Sequence, residues 1–134
     1  MKVLLDTHTV LWFWWDDPQL SPAAKTMIED PSVHKYVSLA VPWEVAIKVS
    51  LKKLDLGGPY QGFFWQHMQR TYFDYLGFRE EHFEGLLDLP KHHGDPFDRM
   101  MISQSLRESM PIVSNDVKFD AYGVTRIWNR TEQV

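Results

Sequence analysis

The residues in this chain that could do chemistry are chiefly acids, and their spacing decides what chemistry is possible. Asp6 directly follows a short apolar run, Lys2 to Leu5, and Asp116 follows a second run, Pro111 to Ser114, by two residues. Glu44 and Asp98 each stand in the first turn of a stretch that reads as a helix, one opened by Pro42 and the other by Asp95-Pro96. If these four acids meet, charge dictates the outcome. Two carboxylates about 4 Å apart repel by roughly 4 kcal/mol at an effective dielectric of 20, so a cluster of four takes up protons or recruits a cation. Oxygen ligands without thiolates select Mg²⁺ or Mn²⁺ over zinc or copper. One such ion, or a pair about 4 Å apart, activates water and clamps the oxygens of a phosphodiester during in-line displacement. Each acid also has a plain structural use. Asp95 suits an N-cap with Pro96 at the first helical position and Asp98 in the first turn. Glu44 gains from its helix N-terminus, and Asp116 can cap a short segment, Val117 to Phe119. Asp6 has no capping duty unless Thr7 begins a turn. Spacing alone leaves both readings open.

Whether the acids meet depends on the elements that carry them. Lys2 to Leu5, Tyr36 to Leu39, Phe73 to Phe78, Pro111 to Ser114 and Thr125 to Trp128 read as strands. Between them lie helical stretches. Ser21-Pro22 supplies a cap and a Pro at the first helical position. Pro42 opens a helix with Val41, Val45, Ala46 and Val49 on one face, ended by Gly57-Gly58-Pro59. Residues 60–71 and Glu80 to Leu87 are helical, and Asp95-Pro96 opens a helix running to about Ser109. Strands alternating with helices imply parallel crossovers, and the fold class expected is a three-layer α/β/α sandwich with a mostly parallel sheet. In such sheets, strand C-termini and the helix N-termini after them share one edge, where ligands bind. Asp6, Glu44 and Asp116 reach that edge by this rule. Asp98 joins them if the helix before the fourth strand also starts there, as a right-handed crossover requires.

Composition narrows the class further. With 134 residues the chain suits one domain, 1–134, large enough to bury a core without disulfides or structural zinc. It has no cysteine, which excludes thiolate metal sites and thiol nucleophiles. A net charge of −4 argues against a general nucleic-acid coat, yet not against a nuclease whose metal site is itself acidic. Asp6 interrupts any signal-peptide core, and the run Val10 to Trp15 is too short to span a bilayer. A cytoplasmic protein with no membrane partner is expected.

The motifs themselves, Leu4-Leu5-Asp6-Thr7-His8, Trp43-Glu44-Val45-Ala46-Ile47-Lys48, His92-His93-Gly94-Asp95-Pro96-Phe97-Asp98-Arg99-Met100 and Ser114-Asn115-Asp116 with Phe119 and Tyr122-Gly123-Val124, resemble those of PIN-domain proteins. The likeness is closest to the VapC-type toxins of toxin–antitoxin pairs, whose branch also typically carries a segment like Leu20-Ser21-Pro22-Ala23-Ala24. It covers nearly the whole chain, in order. What the resemblance implies is a metal-dependent endoribonuclease using Mg²⁺, with Mn²⁺ as the alternative, and a catalytic and metal-binding quartet of Asp6, Glu44, Asp98 and Asp116. Asp6 and Asp98 would hold the ion, Asp116 and Glu44 would complete its shell, and Glu44 would help deprotonate the attacking water. Products with a 5′-phosphate and a 3′-hydroxyl are expected. Asp95, Ser114, Arg99 and His93 would stand around the quartet or contact substrate. Ser114 replaces the family's usual Thr and keeps a hydroxyl. The partners implied are an RNA substrate, a cognate antitoxin protein and a second copy of the chain in a homodimer.

Residues beyond the quartet carry weaker expectations. His8, His92 and His93 would point to zinc or manganese as ligands; the favoured reading makes them polar loop residues near the phosphate. Arg99 would bind phosphate or, preferably, pair with an acid. Lys48, Lys52 and Lys53 would follow Glu44 along its helix and either draw RNA toward the site or form an ordinary solvated face. The run Leu11-Trp12-Phe13-Trp14-Trp15 is too aromatic to pack wholly inside, so part of it is expected at an interface. The rival to an enzyme is a catalytically inactive PIN-like module that binds RNA or protein, which the complete quartet disfavours. A small-molecule phosphohydrolase lacks its second acid after Asp6-Thr7-His8, and no Gly-rich phosphate loop follows the first strand.

Overall fold

The computed structural model describes residues 1–92 and 94–129. Five short strands form one sheet: β1 (Lys2–Leu5), β2 (His34–Ser38), β3 (Asp74–Leu76), β4 (Ile112–Val113) and β5 (Arg126–Ile127). Six helices alternate with them: α1 (Thr7–Trp15), α2 (Pro22–Glu29), α3 (Ala40–Ser50), α4 (Phe63–Thr71), α5 (Glu80–Asp88) and α6 (Pro96–Glu108), with a 3₁₀ helix over Val117–Tyr122. The spatial order is β3-β2-β1-β4-β5 and every pairing is parallel. This is the α/β/α arrangement the alternation predicts.

The central strand shows why the sheet forms. Val3, Leu4 and Leu5 have no solvent exposure, as do Ile112 and Val113 of β4. Consecutive apolar residues buried on both faces are what a parallel sheet covered on both sides requires. Val10 and Leu11 of α1 and Met101 and Ile102 of α6 complete the core. Each such side chain contributes about 1.5–3 kcal/mol by leaving water.

Local signals place the helix starts. Ser21 accepts the amide of Ala24, with Pro22 at the first helical position of α2. Asp95 accepts the amides of Phe97 and Asp98 at the head of α6. Three expectations need correcting. Thr7–Trp15 forms a helix that the sequence reading did not assign, and Asp6 caps it by accepting the Thr7 amide at 2.8 Å. Helix α3 begins at Ala40, so Glu44 lies in its second turn rather than its first. It ends at Ser50, so Lys52 and Lys53 lie beyond it and only Lys48 shares the helix with Glu44.

The aromatic run is also more internal than its composition suggests. Phe13 packs against Phe73, and Trp14 against Phe63 and Phe64 of α4. Trp12 meets Trp128 at 6.1 Å, and only Trp15 reaches substantial exposure, 36%. Aromatic partners in α4 and in the chain's later segments half-bury Trp12, Phe13 and Trp14, while Trp15 stays exposed. Among the described residues, no helix is long and apolar enough to cross a membrane.

Candidate functional site

The sheet's register delivers the site. Leu5 is level with Val37 of β2 and with Val113 of β4. The next residue of each strand, Asp6, Ser38 and Ser114, therefore emerges at one C-terminal rim. The connections run to opposite sides of β1 here, between β1–β2 and β1–β4, which is the crevice where ligands of open parallel sheets collect. Ser38 accepts the Ala40 amide and turns the chain into α3, bringing Glu44 to the rim. The Asp95 cap starts α6 at the same edge and brings Asp98 there.

A cleft of about 370 Å³ opens at this point, lined by Asp6, Thr7, His8, Glu44, Lys48, Asp95, Asp98, Asn115, Asp116 and Val117. All four acids singled out from the sequence line it, together with Asp95. Asp6 and Glu44 are buried, with 7% and 5% of their surface exposed, while Asp116 lies nearer solvent. Asp116 accepts the Lys118 amide and caps the 3₁₀ helix, the structural use open to it from spacing alone.

Hydrogen bonds orient the carboxylates. Ser114 donates to Oδ2 of Asp6 at 2.7 Å and its oxygen accepts the amide of Asp116 at 3.0 Å, so one hydroxyl ties two of the acids. Thr7 donates from Oγ1 to Oε1 of Glu44 at 2.7 Å. Lys48, one turn along α3, places Nζ 2.6 Å from the other Glu44 oxygen. Glu44 thus has both oxygens engaged, one by a hydroxyl and one by an ammonium group. Thr7 gave no signal in the sequence. Lys48 did, since a Glu followed by a Lys four residues later on a helix is a pairing motif.

The grouped acids shift one another's titration. Burial, and then the charges of Asp6, Asp95, Glu44 and Asp116, push the Asp98 carboxyl up to about 8. Burial also raises Asp6, against the lowering effect of the Ser114 and Thr7 hydrogen bonds and of His8. Burial pulls the Lys48 ammonium down, but the hydrogen bond and charge of Glu44, with Asp95 and Asp98 behind, outweigh it and hold Lys48 above its usual range. A carboxyl that would otherwise stay protonated at neutral pH, in an all-oxygen donor set, fits Mg²⁺ or Mn²⁺.

The other candidates fall elsewhere. Arg99 donates to the carbonyls of Pro90 at 2.9 Å and Leu86 at 3.4 Å, so it closes the end of α5 rather than lining the cleft or pairing with an acid. His8 lines the cleft and stacks on Trp12. His92 packs its ring against Tyr122. His93 lies outside the described residues. Among the described residues, the His and acid side chains whose ligand atoms all lie within 4.8 Å of one another are Glu81, His82 and Glu108 on α5 and α6; the cleft acids are spaced more widely than that. There His82 is fully buried, accepts the Arg79 amide at Nδ1 and meets Glu108 through Nε2 at 2.8 Å. With both ring nitrogens used, it pins the two helices together.

The PIN domain family matches residues 3–124 of the chain. No curated protein matches it. Solved structures of similar fold include VapBC2 from Rickettsia felis bound to a DNA fragment from their promoter, at 16% identity and a TM-score of 0.70, covering 96% of this chain and all of that one. FitAB bound to an IR36 DNA fragment is 18% identical with a TM-score of 0.66, each chain covered completely. FitAcB from Neisseria gonorrhoeae, also 18% identical, has a TM-score of 0.64 over 95% of this chain and 96% of that one. At such identities the likeness is one of fold.

Proposed function

The chain belongs to the PIN domain family, and from that premise we propose that it is a metal-dependent endoribonuclease, the toxin of a toxin–antitoxin pair, acting through Asp6, Glu44, Asp98 and Asp116. The observation that carries this reading is the convergence of five carboxylates, counting Asp95, from separated segments into one cleft at the sheet's crevice. Grouping them costs repulsion that a bound cation would offset.

Mg²⁺ or Mn²⁺, when bound, would supply Lewis-acid chemistry to phosphodiester hydrolysis. The chain's own residues supply the rest. Asp6 and Asp98 would hold the ion, with Asp6 aimed by Ser114 and Asp98 by its place in the first turn of α6. Asp116, tied through its amide to the same serine, would be a further oxygen ligand. Glu44, steadied by Thr7 and Lys48, accepts the proton of the attacking water. Cleavage leaves a 5′-phosphate and a 3′-hydroxyl. The proposed protein partners are a cognate antitoxin and a second copy of the chain. The apolar residues exposed on α3 and α5 are surface available for such contacts.

The test is incubation of the purified protein with total RNA and Mg²⁺ or Mn²⁺, beside an EDTA control and Asp6→Asn. Asparagine retains an oxygen for the Thr7 amide, so the α1 cap survives while the charge is lost. Discrete cleavage that disappears in both controls is expected. Equal cleavage by the variant would locate the activity elsewhere, and no cleavage with either metal would promote the binding-module reading.

A further inference from the structure

A carboxylate-lined cleft poses a problem that the quartet alone does not solve. RNA is a polyanion, and five carboxylates line the cleft it must enter. One divalent ion would offset only two of those charges. Among the described residues lining the cleft, Lys48 is the only lysine or arginine. Its side chain is 37% exposed while that of Glu44 is 6% exposed, so the ammonium bridges the cleft's interior and its mouth.

We propose that Lys48 is a phosphate-binding residue, whose ammonium rests on Glu44 in the free protein and donates to a non-bridging phosphate oxygen of the RNA strand at the cleft mouth. The proposal rests on the nuclease reading of the same site. The geometry allows it without dismantling the Glu44 pair. A lysine ammonium has three N–H donors, and the contact at 2.6 Å to Oε2 uses one. The lysine stem is flexible and its charge compact, so it can follow a phosphate over a range of positions. Glu44 keeps its Thr7 hydrogen bond throughout, since that bond involves the other oxygen. The contact is to the backbone and carries no sequence preference. Lys52 and Lys53, beyond the end of α3, are not among the residues lining the cleft.

The experiment measures binding of a short, unpaired, fluorescein-labelled RNA of mixed sequence across a salt series, with Ca²⁺ replacing Mg²⁺ so that the strand stays intact. Wild type, Lys48→Gln and Lys48→Arg are compared, with Mn²⁺ affinity measured by calorimetry on each. Glutamine keeps a donor for Glu44 but removes the charge. The expected result is about tenfold weaker RNA binding by Lys48→Gln. Its plot of log affinity against log salt should be shallower by about 0.7, the value for one phosphate contact on a single strand. Lys48→Arg should restore both, and Mn²⁺ affinity in Lys48→Gln should be no weaker than wild type. If Lys48→Gln fails to fold, the double variant Lys48→Met, Glu44→Gln removes both charges of the pair and reads the same slope. Wild-type affinity and slope in the charge-removed variant overturn the proposal. So does a loss of RNA and Mn²⁺ binding together that arginine does not rescue, because that pattern belongs to a lysine that only holds Glu44. Wild type that binds no RNA overturns it as well. A wild type that binds RNA through Lys48 but never cleaves it sinks the nuclease reading and leaves the contact standing. Cleavage that is indifferent to Lys48 does the reverse.

Discussion

Asp98 carries the sharpest consequence at the scale of single residues. Its carboxyl is pushed to about 8, mainly by burial and then by the neighbouring acids, against an ordinary value of 3.8. In the metal-free protein the folded state therefore binds a proton that the unfolded state releases between about pH 4 and 8. By linkage, stability from this group is fully present below the unfolded value and falls as pH rises toward 8. Asp98→Asn removes that dependence. In EDTA at pH 8 the variant is expected to be more stable by about 1–2 kcal/mol, a rise of about 4 °C or more in melting temperature, with the gain shrinking toward pH 4. The same variant should lose most of the stabilisation that Mn²⁺ gives the wild type. Thermal unfolding across pH, with and without the ion, reads both effects. A variant less stable than wild type at pH 8 in EDTA would mean that Asp98 is neutralised by contacts other than a proton.

Helices α5 and α6 form the platform under that residue. They pack tightly at Gly85, where an added Cβ would meet Oγ of Ser103 at 2.3 Å and Nε of Arg107 at 3.0 Å. Ser103 has little freedom to move, because its hydroxyl donates to the His82 carbonyl at 2.6 Å. Alanine would ordinarily gain about 0.5–1 kcal/mol over glycine inside a helix. Overpacking costs about 1–3 kcal/mol and should win, because the obstructing atom is the near end of a short, bonded side chain. Gly85→Ala is expected to destabilise by about 1–2 kcal/mol, measured by urea denaturation, and to lower cleavage through the displaced α6. A neutral or stabilising result would mean that the helices separate freely. The elements that were legible in the sequence are those with local punctuation: Ser21-Pro22 for α2 and Asp95-Pro96 for α6, both with the capping bonds their residue types imply. Helix α1 was not legible. Its apolar and aromatic residues, from Val10 to Trp15, are nearly continuous rather than periodic, so no face stands out, and its cap is an acid whose other role is in the cleft. Lys48 pairing with Glu44 lay within reach of helical spacing. The Thr7 bond to Glu44 did not, because it depends on how α1 and α3 are rotated toward each other.

Across the whole molecule, α3 joins two kinds of surface. Glu44 and Lys48 face the acid cleft, while Trp43, Ile47 and Leu51, spaced four apart, are exposed. Trp43 sits 5.1 Å from the ring of Phe97, and Phe78 links it to exposed Phe83 of α5. An exposed aromatic surface therefore lies beside the site, in addition to Trp15, Trp65 and Tyr72, which are exposed but do not line the cleft. Density of aromatic residues in sequence does not reveal which of them find partners in the fold. The convergence of the acids was legible, because a parallel sheet puts strand ends and helix starts on one rim whatever the exact boundaries. Their role as a metal centre is the central claim, and anomalous diffraction from crystals soaked in Mn²⁺ tests it most directly. The account predicts a manganese peak in the cleft, bound by carboxylate oxygens of Asp6 and Asp98. A peak at Glu81, His82 and Glu108 alone, or no ordered manganese at saturating concentration, would contradict it.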